Sequence, residues 1–204
     1  MPLFYLIRHG ETDLNASRTI QWPQTPLNPQ GRWQATRVAA ALRNKNIGCI
    51  ISSDYARARE TAEQIHRISA ASLSIDIRLR ERHFGRLRGT SWPHDWQQFD
   101  SDEFEPPGGE SLPVFRKRVT AAWKALQETL EQTERSIAIV THGLVCRTLA
   151  QHHLTWSGHS VRQRFSNTSI TVIEGAAPWH VIQGPTADHL KEKDQHATIR
   201  TYCP

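Results

Sequence analysis

The feature that most constrains this chain is a pattern met three times: a short apolar run that stops at polar residues and is followed by a helical pattern. In "LFYLIRHG" five apolar residues at 3–7 lead directly to Arg8-His9. "CIISSD" ends in Ser53-Asp54 with Arg57 close behind, and "SIAIVTHG" ends in Thr141-His142. Such runs, apolar without alternation, fit strands buried on both faces of a sheet. Strands of this kind alternating with helices argue for an α/β fold, a three-layer α/β/α sandwich around a mostly parallel sheet. Ligands of such sheets bind outside the carboxyl ends of the strands. The three polar tips are therefore expected to converge on one site.

The segments between fill in the layers. Asn28-Pro29-Gln30-Gly31 is a helix start, with Asn28 as N-cap and Pro29 in the first turn. Behind it Trp33, Ala35, Val38, Ala39 and Leu42 recur near a 3.6-residue period. Further helices are expected at 55–68, 112–132 and 144–154, the second with Phe115, Val119, Ala122, Leu126 and Leu130 on one face. A shorter strand is expected at 73–77, and "NTSITVIE" and "WHVIQ" read as two late strands joined by a turn at 175–178. Two stretches, 12–29 and 85–110, are rich in Pro, Gly, Trp and polar residues and exceed the roughly 2 to 6 residues usual for such connections. They are assigned to substrate recognition. With no internal repeat or linker, 1–204 is read as one domain.

Composition narrows the functional classes. The chain is 38% hydrophobic and 22% charged, an ordinary globular mixture. Its formal charge is +5, and 20 of its 25 basic residues are arginine, whose planar fork matches phosphate and carboxylate oxygens. Arg37, Arg43, Arg67, Arg116 and Arg118 sit at helical spacing and read as solvated faces. No basic run is interleaved with aromatics, so no nucleic acid partner is expected. No stretch approaches the roughly 18 apolar residues of a membrane span, and the first apolar segment has no basic residues ahead of it, unlike a signal peptide. A soluble, cytoplasmic protein is expected, its oligomeric state left open. Cys49, Cys146 and Cys203 lack CxxC spacing, which favours neither a disulfide framework nor zinc. His152-His153, His189 and His196 have no Asp, Glu or Cys partners at ligand spacing. Neither metal nor cofactor is expected.

A site holding Arg8, His9, Arg57, Glu81 and His142 has a definite chemistry. Two arginines and a helix N-terminus neutralise a phosphoryl group. A histidine among cations is kept neutral and nucleophilic, and a nearby carboxyl can protonate a leaving oxygen. Together they describe phosphoryl transfer through a phosphohistidine, with no metal required.

The motifs in this order resemble those of the histidine phosphatase superfamily, the phosphoglycerate mutase-like proteins. "LIRHGETDLN" resembles the first signature, which implies His9 as nucleophile, with Arg8 and Asn15 binding the phosphoryl group. "SSDYARARETA" implies Arg57 as the second arginine, "LRERHFGRLRG" implies Glu81 as proton donor, and "IVTHG" implies His142 as the second histidine. A surface carboxylate paired with Arg80 or Arg82 is the competing reading of Glu81. Glu11 reads as structural. The family's alternative acid, directly after the second histidine, is here Gly143.

The family divides between hydrolysis and phosphate exchange. The segment after "ERHFG" is shorter than in the resembling mutases, carries no lysine, and has Phe84 where they have tyrosine. It offers Trp92 and Trp96 instead, which suits an apolar or aromatic leaving group, although the two rings would equally anchor the loop on the core. "PPGGESL" resembles the phosphatase branches, including broad-specificity and α-ribazole phosphatases. The expectation is a metal-independent phosphomonoester hydrolase acting on a small phosphorylated metabolite. The alternatives are a cofactor-dependent phosphoglycerate mutase and a weakly catalytic member that binds phospho-ligands or a protein. One departure stands out: "QWPQTPL" puts Gln21 and Gln24 where the family commonly has Gly and Asp, which changes how that loop can contact phosphate.

Overall fold

The computed structural model describes residues 1–93, 97–156 and 164–194. Strand β1 (Leu3–Arg8) is followed by a short helix α1 (Asp13–Ala16) and by α2 (Pro29–Leu42). Then come β2 (Ile47–Ser52), α3 (Ala56–Ser69), β3 (Ser72–Ile75), α4 (Leu112–Glu131), β4 (Ser136–Thr141), α5 (Gly143–His152), β5 (Thr155–Trp156), β6 (Ile170–Glu174) and β7 (His180–Thr186). Among the described residues the seven strands form one sheet in the order β3-β2-β4-β1-β6-β7-β5. β6 is antiparallel to both its neighbours and every other pair is parallel, so the sheet is mostly parallel as expected.

The continuous apolar runs are explained by helices on both faces. Phe4 and Leu6 of β1 and Ile137 and Ile139 of β4 pack with Phe115, Val119, Trp123 and Leu126 of α4 and with Val145 and Leu149 of α5. The alternate residues, Tyr5, Ile7, Ala138 and Val140, pack with Val38, Ala39 and Leu42 of α2 and with Ala58, Ala62 and Ile65 of α3. Each fully buried Leu, Ile or Phe contributes about 1.5–3 kcal/mol, so the central strands cannot accept polar residues until they leave the sheet. They do so at their carboxyl ends.

Three expectations shift in detail. The strand expected at 73–77 ends at Ile75, because the Asp76 carboxylate accepts from the Arg78 N–H at 2.8 Å and starts a 3-10 turn, Ile77–Leu79. Trp33 is only half-buried. Gln34 is buried in its place, and its Oε1 accepts from Glu11 N at 2.9 Å. The stretch 12–29, read as irregular, contains α1, whose N-cap Thr12 accepts from Asn15 N at 3.0 Å.

The start of α2 locks onto the exit of β1. Asn28 Oδ1 caps Gly31 N at 2.7 Å while its Nδ2 donates to Glu11 Oε1 at 3.0 Å. This gives Glu11 the structural place expected of it. Gly31 lies so close that a Cβ there would stand 1.9 Å from the Glu11 carbonyl oxygen. Replacing Asn28 by alanine removes both bonds, and the unfolding free energy in urea is expected to fall by about 1–2 kcal/mol.

Candidate active site

Strands β2, β4 and β1 are neighbours in the sheet, so their carboxyl ends fall side by side. His9 N donates to Thr141 O at 2.9 Å and Ser53 N to Val140 O at 3.0 Å, which carries the alignment just past the strands. Arg57 enters from the first turn of α3, and His142 is the N-cap of α5. The expected convergence is observed: the His9 and His142 ring centroids are 5.1 Å apart, and Arg57 Nε lies 3.2 Å from His9 Nε2.

The hydrogen bonds fix the state of His9. Its Nδ1 is 2.7 Å from the Gly10 carbonyl oxygen, which can only accept, so Nδ1 carries the proton. Nε2 therefore presents its lone pair toward the Arg57 guanidinium. Burial, then Arg57 and Arg8, hold the His9 pKa well below the ordinary 6.5, and burial followed by Arg57 does the same to His142. His142 Nε2 is 2.9 Å from Ser53 Oγ, and its Nδ1 is buried with no partner among the described residues.

The arginines are anchored by their other ends. Arg57 Nη1 donates to Trp22 O at 3.0 Å and Arg8 Nη1 to Phe165 O at 2.6 Å, while Arg8 Nε is buried without a partner among the described residues. Burial lowers the Arg57 pKa to about 10; at neutral pH it remains a cation.

Glu81 is not the surface carboxylate of the competing reading. The Arg80 side chain goes to Asp54, at 2.7 and 2.5 Å. The Arg82 guanidinium goes to the carbonyls of Phe99, Phe104 and Glu110, at 2.6–2.9 Å, and ties down the stretch 97–110. Glu81 accepts two backbone N–H bonds, from Arg82 at 3.0 Å and from Leu144 in the first turn of α5 at 3.2 Å. Burial raises its pKa above 4.5 against the pull of these donors, a shift that favours holding a proton.

Arg8, His9, Arg57 and Glu81 line a cavity of about 210 Å³ with Asn15, Gln21, Ile20, Phe84, Trp92 and Arg88 among its walls, while His142 is fully buried beside it, against His9 and Ser53. The two long stretches form one wall together. Ile20 N donates to Thr90 O, Gly89 N to Ile20 O and Trp92 N to Arg18 O, at 2.8–2.9 Å. Trp92 also packs edge-on against Phe84, 5.1 Å between centroids, so it both anchors the loop and faces the cavity. Trp96, expected beside it, lies outside the described residues, as do Cys203 and His196. Gln21 Oε1 accepts from Thr12 Oγ1 at 2.8 Å, leaving its amide N–H as the donor end; Gln24 lines a separate outer chamber. Sequence reasoning passed over Asn167, whose Nδ2 donates to His9 O at 3.0 Å and Asn15 Oδ1 at 3.2 Å. The sequence puts it at the head of "NTSITVIE", read as a strand, whereas β6 begins only at Ile170 and Asn167 lies in the turn before it.

Among the described residues no group of three or more His, Cys, Asp or Glu side chains is placed to hold a metal ion, and no helix is long and apolar enough to cross a membrane. His153 and His189 instead meet the hydroxyls of Thr120 and Thr168, at 3.0 and 3.2 Å. Chemically, the arrangement presents a neutral imidazole nitrogen beside two cations and a carboxyl group disposed to carry a proton. In nitrogen-15 spectra at pH 6.5, where a free imidazole is half protonated, His9 is expected as the neutral Nδ1–H tautomer and His142 as neutral. Both folded-state values lie below the unfolded one, so the stability they contribute is present above pH 6.5 and is lost as the pH falls below it.

Comparison with known proteins identifies the family. The model of the Histidine phosphatase superfamily (branch 1) matches residues 4–182. The chain is 35% identical over 205 residues to a probable phosphoglycerate mutase of Salmonella typhi, covering 91% of this chain and 94% of that protein. It is 36% identical to phosphoglycerate mutase-like protein 4 of Arabidopsis thaliana, covering 92% and 86%. Among solved structures, YhfR of Bacillus stearothermophilus aligns with a TM-score of 0.77 at 28% identity, over 92% of this chain and 99% of that one. A mycobacterial glucosyl-3-phosphoglycerate phosphatase, solved as a complex with VO3, shares the fold with a TM-score of 0.75 at 24% identity, over 91% and 100%. Four motifs in order, the strand-end geometry and a match running from β1 into β7 lead to one conclusion: the chain belongs to branch 1 of the histidine phosphatase superfamily.

Proposed function

We propose that this protein is a metal-independent phosphomonoester hydrolase that works through a phosphohistidine on His9. The observation that carries the reading is the pair of bonds on the His9 ring, Nδ1–H to Gly10 O and Nε2 facing Arg57. Together they direct a lone pair to the place where two guanidinium groups would hold a phosphoryl group. In this reading Arg8, Arg57 and His142 hold the phosphoryl oxygens, with Asn15 and the Gln21 amide at the rim. Arg57 Nε–H moves from His9 Nε2 to a phosphoryl oxygen as substrate enters. His9 Nε2 then attacks phosphorus in line, the P–O bond to the alcohol breaks, and Glu81 gives its proton to the departing oxygen. The resulting Glu81 carboxylate takes a proton from water, whose oxygen attacks phosphorus and frees His9. Charge neutralisation and positioning supply most of the rate, and the arginines do this without a metal.

The 35% identity to a protein named a probable phosphoglycerate mutase favours a second reading, phosphate exchange between small substrates. Against it stand the short segment after Glu81 and Phe84, whose ring is buried in the loop cluster with Ile20 and Phe99 and offers no hydroxyl to a substrate. The test is phosphate release from a panel of phosphomonoesters in excess EDTA, beside a mutase assay with 3-phosphoglycerate and 2,3-bisphosphoglycerate. Release is expected with wild type and is expected to vanish with His9→Ala. Glu81→Gln should slow alkyl esters about a hundredfold or more and p-nitrophenyl phosphate, whose phenolate leaves without a proton, by less than about tenfold. Equal losses would contradict the role of Glu81, and interconversion without release would replace hydrolysis by the mutase reading.

A further inference from the structure

The cavity at His9 shares a wall, formed by Tyr55 and Arg88, with an outer chamber of about 590 Å³. The charges lining that chamber are largely matched. Arg80 is paired with Asp54, and Arg59 Nε donates to Glu63 at 2.9 Å. The Glu60 carboxylate accepts from Leu27 N at 3.2 Å. His83 is held below its ordinary pKa by burial and by Arg88, so it adds no charge at neutral pH. Arg88 is different. Its half-buried guanidinium donates to the Tyr55 hydroxyl at 3.2 Å, and among the described residues no carboxylate pairs with it.

Tyr55 relates this cation to the reacting centre. The Arg57 guanidinium carbon lies 5.2 Å from the Tyr55 ring centroid, and Arg88 sits at the hydroxyl of the same ring. Arg88 thus stands roughly one aromatic ring beyond the guanidinium that faces His9. A half-buried guanidinium that lacks a carboxylate gains most from a planar anion that accepts two of its N–H groups. Resting on the phosphomonoesterase reading, we propose that Arg88 recognises a second anionic group on the leaving alcohol, a carboxylate or a phosphate. The preferred substrates are then small phosphomonoesters that carry negative charge at both ends, with the carbon skeleton alongside Tyr55.

The test compares esters matched except for that charge. 4-Carboxyphenyl phosphate is set against 4-carbamoylphenyl phosphate, and hydroquinone bisphosphate against 4-methoxyphenyl phosphate. The quantity read is the ratio of kcat/KM within each pair, which does not depend on how much of a preparation is folded. Wild type is expected to favour at least one charged member by roughly tenfold or more, the worth of one charge-assisted hydrogen bond. The pair with the larger ratio identifies the anion. Arg88→Met should bring that ratio close to one, and Arg88→Lys should keep part of it. A wild-type ratio near one in both pairs, or a ratio that survives Arg88→Met, overturns the proposal. If wild type hydrolyses none of the four, the hydrolase reading fails. The same ratios are then taken from dissociation constants by titration calorimetry, with the same outcomes deciding for or against Arg88.

Discussion

Keeping two guanidinium groups buried beside two imidazoles is the constraint to which the rest of this structure answers. Desolvation and mutual repulsion both oppose it, and the lowered Arg57 pKa, about 10, records that cost. The fold meets it with fixed dipoles. The carbonyls of Trp22 and Phe165 hold the far ends of the two arginines, and the Gly10 carbonyl holds the His9 proton away from Nε2. The protonation state of His9 is therefore set by its neighbours before any substrate arrives, which is what preorganisation means in electrostatic terms.

The same logic explains why the site sits where it does. β1, β2 and β4 are apolar on both faces between α2 and α3 on one side and α4 and α5 on the other, so charged groups have no place until the strands end. The parallel register brings the three ends level, and the N-terminal turn of α5 supplies the Leu144 N–H to Glu81. Beyond the ends, Arg82 is spent on structure. Buried against the rings of Phe84 and Phe104, it gives its guanidinium to three carbonyls and so ties down the stretch 97–110.

Much of this was legible in the chain because it is local. Apolar runs ending in Arg8-His9, Ser53 and Thr141-His142 mark strand ends, and Asn28-Pro29 marks a helix start; each is decided by neighbours in sequence. Contacts between distant segments were not legible. Nothing near Arg82 distinguishes it from Arg80 or Arg88, yet one secures a loop, one pairs with Asp54 and one has no carboxylate partner among the described residues. Their fates depend on where 97–110, β2 and Tyr55 come to lie. Likewise Trp92 was open between loop anchor and cavity wall, and the fold makes it both. The bond that holds the Gln21 oxygen comes from Thr12, nine residues away, and Gln21 joins the cavity wall only through that fold of the loop.

The central claim is that His9 Nε2 carries the phosphoryl group during turnover. The most direct measurement is rapid mixing with a phosphomonoester, quenching in alkali to preserve phosphohistidine, and locating the modified residue by mass spectrometry. The account predicts a transient phosphoryl group on His9 that forms and decays at rates compatible with turnover. Phosphorylation of a different residue, or full turnover with no phosphoenzyme at any time, would contradict it.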